Sequence, residues 1–200
     1  VRQLHLGGGT PTYLSRPQMQ EVDAHLRAAF SLDNSEDREF SIEIDPRSID
    51  PEDFSWLADL GFNRISLGIQ DFDESVQLAV NRVQSAKQVD QLINAARRCG
   101  IESVSFDLIY GLPRQSVASF EATLERVIDL GPDRLAIYNY AHLPQRFKGQ
   151  RMINDEDIPL PEIKLDILHA TVTRLCDAGY EYIGMDHFAL PGDELVRARK

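Results

Sequence analysis

Four helical stretches of this chain stop at a glycine, and a strand-like run follows each of them within a few residues. The glycines are Gly61, Gly100, Gly131 and Gly179. Glycine closes a helix because it enters the left-handed conformation without a Cβ clash. The helical readings are 16–30, 51–60, 86–99, 117–130 and 161–178. Their apolar residues recur at helical spacing, as in Val89, Leu92, Ile93 and Ala96, or Leu165, Leu168, Val172 and Leu175. Ser15 and Ser116 sit where N-caps belong, and Asp50-Pro51 reads as a cap followed by a first-turn proline. Short runs rich in Ile, Val, Leu, Phe and Tyr give strands near 2–6, 39–44, 63–69, 103–109, 134–140 and 181–186. Strands alternating with helices of this length imply right-handed crossovers and a parallel sheet. Six such units predict an α/β fold, either most of a barrel or a doubly wound sheet.

Composition narrows the partners. Apolar residues make up 42% of the 200, enough for a core, and the net charge of −11 argues against a nucleic-acid or anionic-membrane footprint. No run approaches the ~18 apolar residues of a membrane helix, and no signal peptide opens the chain. Two cysteines, Cys99 and Cys176, do not make a disulfide framework and suit a reducing cytoplasm. No linker is visible, so residues 1–200 read as a single domain. Val1-Arg2-Gln3-Leu4-His5-Leu6 already alternates like a strand in progress, and the last residues end without a terminal element. Both ends therefore read as cuts within a longer chain.

In parallel α/β folds, ligands sit beyond the C-terminal strand ends. Those ends carry Gly7 to Thr10, then Glu43 and Asp45, Gln70 and Asp71, Asp107 with Tyr110-Gly111, Asn139, Tyr140 and His142, and last Asp186 and His187. A strand-end aspartate also caps the next helix, a role that suits Asp50 and Asp71. Six strand ends agreeing predict an active site on one rim. Gly7 to Gly9 let a ligand approach backbone amides that suit a carboxylate or phosphate, or they form a tight turn. Neither a dinucleotide fingerprint nor a P-loop is present. The five histidines show no metal-ligand spacing: His25 and His169 read as helix surface, while His142 and His187 fall on the rim. Cys99 and Cys176 read as helix-core residues. Arg146, Lys148 and Arg151 lie in the irregular loop 143–160, as a solvated stretch or a meeting point for substrate carboxylates.

Four segments carry a family resemblance. Gly7-Gly8-Gly9-Thr10-Pro11-Thr12-Tyr13-Leu14 is similar to the glycine-rich motif of radical S-adenosylmethionine barrels. Ser41-Ile42-Glu43-Ile44-Asp45-Pro46, Ile65 to Phe72, and Asp107 to Pro113 follow in family order. Within that superfamily the chain resembles the coproporphyrinogen oxidase group over all 200 residues. Asn139 to Pro144, Gly184 to Ala189, and Val80-Asn81-Arg82 look like the oxidases rather than the related haem chaperones.

The resemblance implies a parallel, partly open β/α barrel and two bound S-adenosylmethionine molecules. Gly8 with its neighbouring amides and Glu43 would hold the first. Gly9, Thr10, Gln70, Arg82, Asp107 and Ala141 would contact the second. His142, Asp186 and His187 form a candidate substrate rim. It also implies oxidative decarboxylation of two propionates of coproporphyrinogen III, begun by an adenosyl radical, with an electron donor and an acceptor as partners. The family's four-iron, four-sulfur cluster is held by three closely spaced cysteines preceding the glycine motif. No such cysteines occur in this chain, so the resemblance implies no metal ligand here and no activity from this stretch alone. A haem chaperone and an unrelated phosphate-binding barrel enzyme are the other readings.

Overall fold

The computed structural model describes residues 1–199. The strands are β1 (Gln3–Leu6), β2 (Glu39–Ile44), β3 (Arg64–Gln70), β4 (Ser103–Tyr110), β5 (Arg134–Asn139), β6 (Glu181–Gly184) and β7 (His187–Ala189). The helices are α1 (Arg16–Ala29), α2 (Asp53–Asp59), α3 (Glu74–Ala79), α4 (Ala86–Arg98), α5 (Val117–Leu130), α6 (Pro161–Asp177) and α7 (Glu194–Arg199). The fold is α/β with a mostly parallel sheet in the open order β1-β2-β3-β4-β5-β7-β6. The chain divides into two compact units, one of residues 1–68 with 87–105, the other of 69–86 with the chain from 106 onward.

In the first unit β1, β2 and β3 pair in parallel, with Leu6 opposite Ile42, and Glu43 opposite Ser66. Phe40, Ile42, Phe54, Leu57, Ile65, Leu67, Val89, Leu92 and Ala96 are fully buried and make its core. Strand starts are fixed by one buried amide. Asn63 accepts from the Phe40 N–H at 3.0 Å and donates to the Arg38 carbonyl at 2.8 Å. Gln18 reaches back to the N–H of Ser15 at 2.9 Å, which sets the start of α1 as the serine predicted.

In the second unit Phe106, Leu108, Phe120, Leu124, Val127, Leu135 and Ile167 are buried. Ser116 caps α5 by accepting from Ser119 N, and Gly131 closes that helix at φ 61°. Tyr180, buried, donates its hydroxyl to the Pro132 carbonyl at 2.7 Å and ties the start of β6 to the end of α5.

The strand and helix readings hold to within a few residues, with departures that have plain causes. The run 181–186 is a hairpin: β6 ends at Gly184, Met185 and Asp186 turn at φ 48° and 70°, and β7 returns antiparallel between β5 and β6. Helix α3 has six residues, too few for a 3.6-residue period to show. Asp50 does not cap α2 with its side chain. Residues 51–52 form a turn, and the Asp53 carboxylate accepts from Asp50 N at 3.0 Å. Cys176 is exposed and Cys99 half-buried rather than core. The buried stripe of α6 is Ile167, Thr171 and Leu175, and Cys176 stands one position, about 100°, round from it.

Candidate functional site

Parallel sheets in α/β proteins usually bury both faces and read as continuous apolar runs. These strands alternate instead. On β2, Phe40, Ile42 and Ile44 are buried while Glu39, Ser41 and Glu43 are partly open. On β3, Ile65, Leu67 and Ile69 are buried while Ser66, Gly68 and Gln70 are partly open. On β4, Phe106 and Leu108 alternate with Ser105 and Asp107 in the same way. One side of each strand is thus dressed with small and polar groups. The sequence carries this signal in SIEI, ISLGIQ and SFDLI, and reading only strand ends passes over it.

In the first unit Glu43 organises the glycine turn. Its Oε2 accepts from the Gly8 N–H at 3.0 Å, and its Oε1 lies 3.3 Å from His5 Nε2. A carboxylate oxygen only accepts, so Nε2 carries the proton, and Nδ1 lies 2.8 Å from the Ser41 hydroxyl oxygen. A Cβ on Gly7 would lie 2.5 Å from His5 Nε2 and 2.7 Å from Glu43 Oε1, so the carboxylate fills the place of a side chain. Gly8 and Gly9 both stand at φ 81°, and a Cβ on either would meet nothing within 4 Å. Thr10 follows, its carbonyl accepting from Tyr13 N at 2.9 Å. Ser66, opposite Glu43, has a buried hydroxyl without a protein partner.

In the second unit Gln70 occupies the left-handed region at φ 67°. A buried network holds it there. Gln84 donates to the Ile69 carbonyl at 2.5 Å, and Gln77 donates to the Asp71 carbonyl at 2.8 Å. The Asp71 carboxylate, 1% exposed, accepts from Asp73 N at 2.7 Å, Thr123 Oγ1 at 2.6 Å and Gln115 Nε2 at 2.5 Å. Gln115 also accepts from Gly111 N and Leu112 N, joining the end of β4 to the network. The helix cap is Asp73, which accepts from Ser75 N and Val76 N; Asp71 is not a cap. Burial pushes the Asp71 carboxyl up, against its three hydrogen bonds. Arg82 is half-buried on the same segment, its N–H donating to the Gln77 carbonyl at 2.8 Å, and Asp107 is half-buried on β4.

The hairpin brings Asp186 beside β5, where its carbonyl accepts from Ile137 N at 2.8 Å. Burial first, then the Asp186 charge, raises the Tyr110 phenol. His187 donates from Nδ1 to the Met185 carbonyl at 2.6 Å and stands edge-on to Tyr138. His142 accepts at Nδ1 from the Tyr140 hydroxyl at 3.0 Å and donates from Nε2 to Asp155 at 2.9 Å. Ala141 offers its carbonyl, taken by Gln150 at 3.0 Å.

The donor set of the first unit fits a ligand with hydroxyl and ammonium groups. Open space lies over Gly8 and Gly9, the Ser66 hydroxyl is unpaired, and the Glu43 side chain is 39% exposed. An iron–sulfur cluster does not fit. It needs thiolates, and among the described residues no group of three or more His, Cys, Asp or Glu stands together.

A family model described as the radical SAM superfamily matches residues 1–127. The chain belongs to that superfamily. It is 52% identical over 200 residues to the oxygen-independent coproporphyrinogen III oxidase of Pseudomonas aeruginosa, covering 100% of this chain and 44% of that protein. To the same-named protein of Escherichia coli it is 50% identical, again over all of this chain and 43% of the other. A solved structure of the Escherichia coli coproporphyrinogen III oxidase, described as a radical SAM enzyme, superposes with a TM-score of 0.95 at 51% identity, covering 99% of this chain and 45% of that one. An archaeal Elp3 structure from Methanocaldococcus infernus, 17% identical with a TM-score of 0.68 over 84% of this chain and 44% of its own, shares the fold. This chain spans less than half the length of these two curated relatives.

Proposed function

We propose that the whole protein to which this chain corresponds converts coproporphyrinogen III to protoporphyrinogen IX without oxygen, in porphyrin biosynthesis. The observation that carries the reading is 52% identity extending over all 200 residues. Its partners are then a tetrapyrrole, an electron donor and an electron acceptor. Its compartment is the cytoplasm; among the described residues no helix is long and apolar enough to cross a membrane.

S-adenosylmethionine, when bound, supplies the adenosyl radical for hydrogen-atom removal. This chain's residues bind and orient. Gly8 and Glu43 hold the first molecule: the carboxylate accepts from hydroxyl or ammonium hydrogens, and the side-chain-free turn allows close approach. Gly9, Thr10, Gln70, Arg82, Asp107 and Ala141 contact a second. Arg82 pairs with a methionyl carboxylate in a fork, and Ala141 contributes only backbone. His142, Asp186 and His187 face the tetrapyrrole.

The whole protein, incubated anaerobically with reductant, S-adenosylmethionine and coproporphyrinogen III, is expected to release carbon dioxide and form protoporphyrinogen IX. Stoichiometric haem binding without carbon dioxide release would overturn this in favour of a chaperone. The 200-residue chain treated with iron and sulfide is expected to hold no stoichiometric four-iron cluster, since Cys99 and Cys176 are its only thiols. Iron analysis and a visible spectrum check this; one stable cluster per chain contradicts it.

A further inference from the structure

Lys164, in the first turns of α6, does not run out to solvent. A Cβ built on Gly111, just past the end of β4, would lie 2.8 Å from Lys164 Cε, 2.9 Å from Cδ and 3.1 Å from Cγ. The lysine stem fills the place of a side chain at 111. Its ammonium ends over the C-terminal end of β5. There Nζ donates to the Tyr140 carbonyl at 3.2 Å and lies 5.8 Å from the centre of the Tyr140 ring. Among the described residues it forms no ion pair. An ammonium has three N–H donors, so two remain for a ligand. Burial lowers its pKa, as expected of a cation short of counter-charge.

The ring beneath the ammonium is held firmly. The Tyr140 N–H donates to the Tyr110 carbonyl at 2.8 Å, its hydroxyl bonds His142, and His142 bonds Asp155, whose side chain is 84% exposed. Burial raises the Tyr140 phenol, which keeps it protonated and a donor. A charge partly withdrawn from water favours a partner. Here it sits on the strand ends, where ligands of parallel α/β folds lie, and its position is set by a fixed ring and a stem-shaped gap.

We propose that Lys164, seated on Tyr140, is a binding site for a ligand carboxylate. The source rests on the function proposed above: a propionate arm of the tetrapyrrole or the methionyl carboxylate of S-adenosylmethionine, and no other charge is required of the site.

The test uses the whole protein with Lys164→Met, which keeps the stem against Gly111 and removes the charge. S-adenosylmethionine alone is titrated by equilibrium dialysis, and coproporphyrin III alone by fluorescence quenching. Loss of a charge-assisted hydrogen bond predicts a roughly tenfold or greater weakening for one of the two ligands and no change for the other. Weaker coproporphyrin assigns the propionate; the tetramethyl ester should then bind wild type and Lys164→Met alike. Weaker S-adenosylmethionine assigns the methionyl group. Tyr140→Phe, which keeps the ring and drops the hydroxyl, should cost less than Lys164→Met for the same ligand. Unchanged binding of both ligands in a folded Lys164→Met overturns the proposal, as does a Tyr140→Phe loss larger than that of Lys164→Met. Both titrations are binding measurements, so a protein that fails to decarboxylate coproporphyrinogen refutes the proposed function without touching this site.

Discussion

Asp71→Ala is expected to destabilise the protein by about 3 kcal/mol, the cost of stranding buried donors. Three donors lose an acceptor: Asp73 N, Thr123 Oγ1 and Gln115 Nε2, the last of which keeps the Ile109 carbonyl for its other hydrogen. Gln115 cannot turn its amide over to compensate. Its Oε1 already takes Gly111 N and Leu112 N, so Nε2 must point to Asp71. For the same reason Asp71→Asn is not neutral, since it sets one amide against another. A loss of this size lowers the melting temperature by roughly 6–12 °C in a domain of this length, and a thermal melt reads it directly. The network also clamps the carbonyls on either side of Gln70, whose left-handed backbone costs a non-glycine residue about 1–2 kcal/mol. Releasing the clamp should therefore weaken binding at the second S-adenosylmethionine position proposed above. A variant that melts within a degree of wild type would show that the network is ornamental.

The pH dependence has a definite sign. Burial holds the Asp71 carboxyl above its usual value of 3.8 in the folded state. The folded protein then binds the extra proton in the window above 3.8, so this group's contribution to stability grows as pH falls into that window and is lost as pH rises through the raised value. Asp71→Asn should remove that contribution. Chemical denaturation of both proteins at several pH values between neutrality and 4 measures it.

Glu43→Gln is expected to weaken S-adenosylmethionine binding in the whole protein about tenfold to a hundredfold, the value of one charged hydrogen bond of roughly 1.5–3 kcal/mol. The amide keeps an oxygen for Gly8 N–H, so the turn survives while the charge is lost. Gly7→Ala should produce a comparable loss by another route. Its methyl falls 2.7 Å from Glu43 Oε1 and 2.5 Å from His5 Nε2, so the carboxylate must move and Gly8 loses its acceptor. Equilibrium dialysis of S-adenosylmethionine against both variants decides it. Full affinity in a folded Glu43→Gln would mean that the carboxylate serves the turn and no ligand.

Local chemistry by itself determined the order of strands and helices. Glycines at 61, 100, 131 and 179 take positive φ, and the apolar periods read over 86–99 and 117–130 survive in the buried faces of α4 and α5, whereas on α6 Leu165 is exposed and Ile167, Thr171 and Leu175 are buried. The family resemblance names Gly8 and Glu43 for one ligand, whereas the hydrogen bond between the two is a contact that only the tertiary structure supplies. Contacts far apart in sequence decided the rest. Asp71 and Asp73 are the same residue type two positions apart. Only Thr123 and Gln115, some fifty residues on, make one of them a buried hub and leave the other a cap. The turn at Met185 and Asp186 carries no glycine between its strands, and β7 exists because β5 offers it an edge to pair with. In the sequence Lys164 lies on the helical stretch 161–178 with nothing beside it to mark a binding group. Its stem finds Gly111 and its ammonium finds Tyr140 only once α6 lies across the ends of β4 and β5. Periodicity records which way a residue faces on its own element, whereas a binding group is defined by what the other elements set against it.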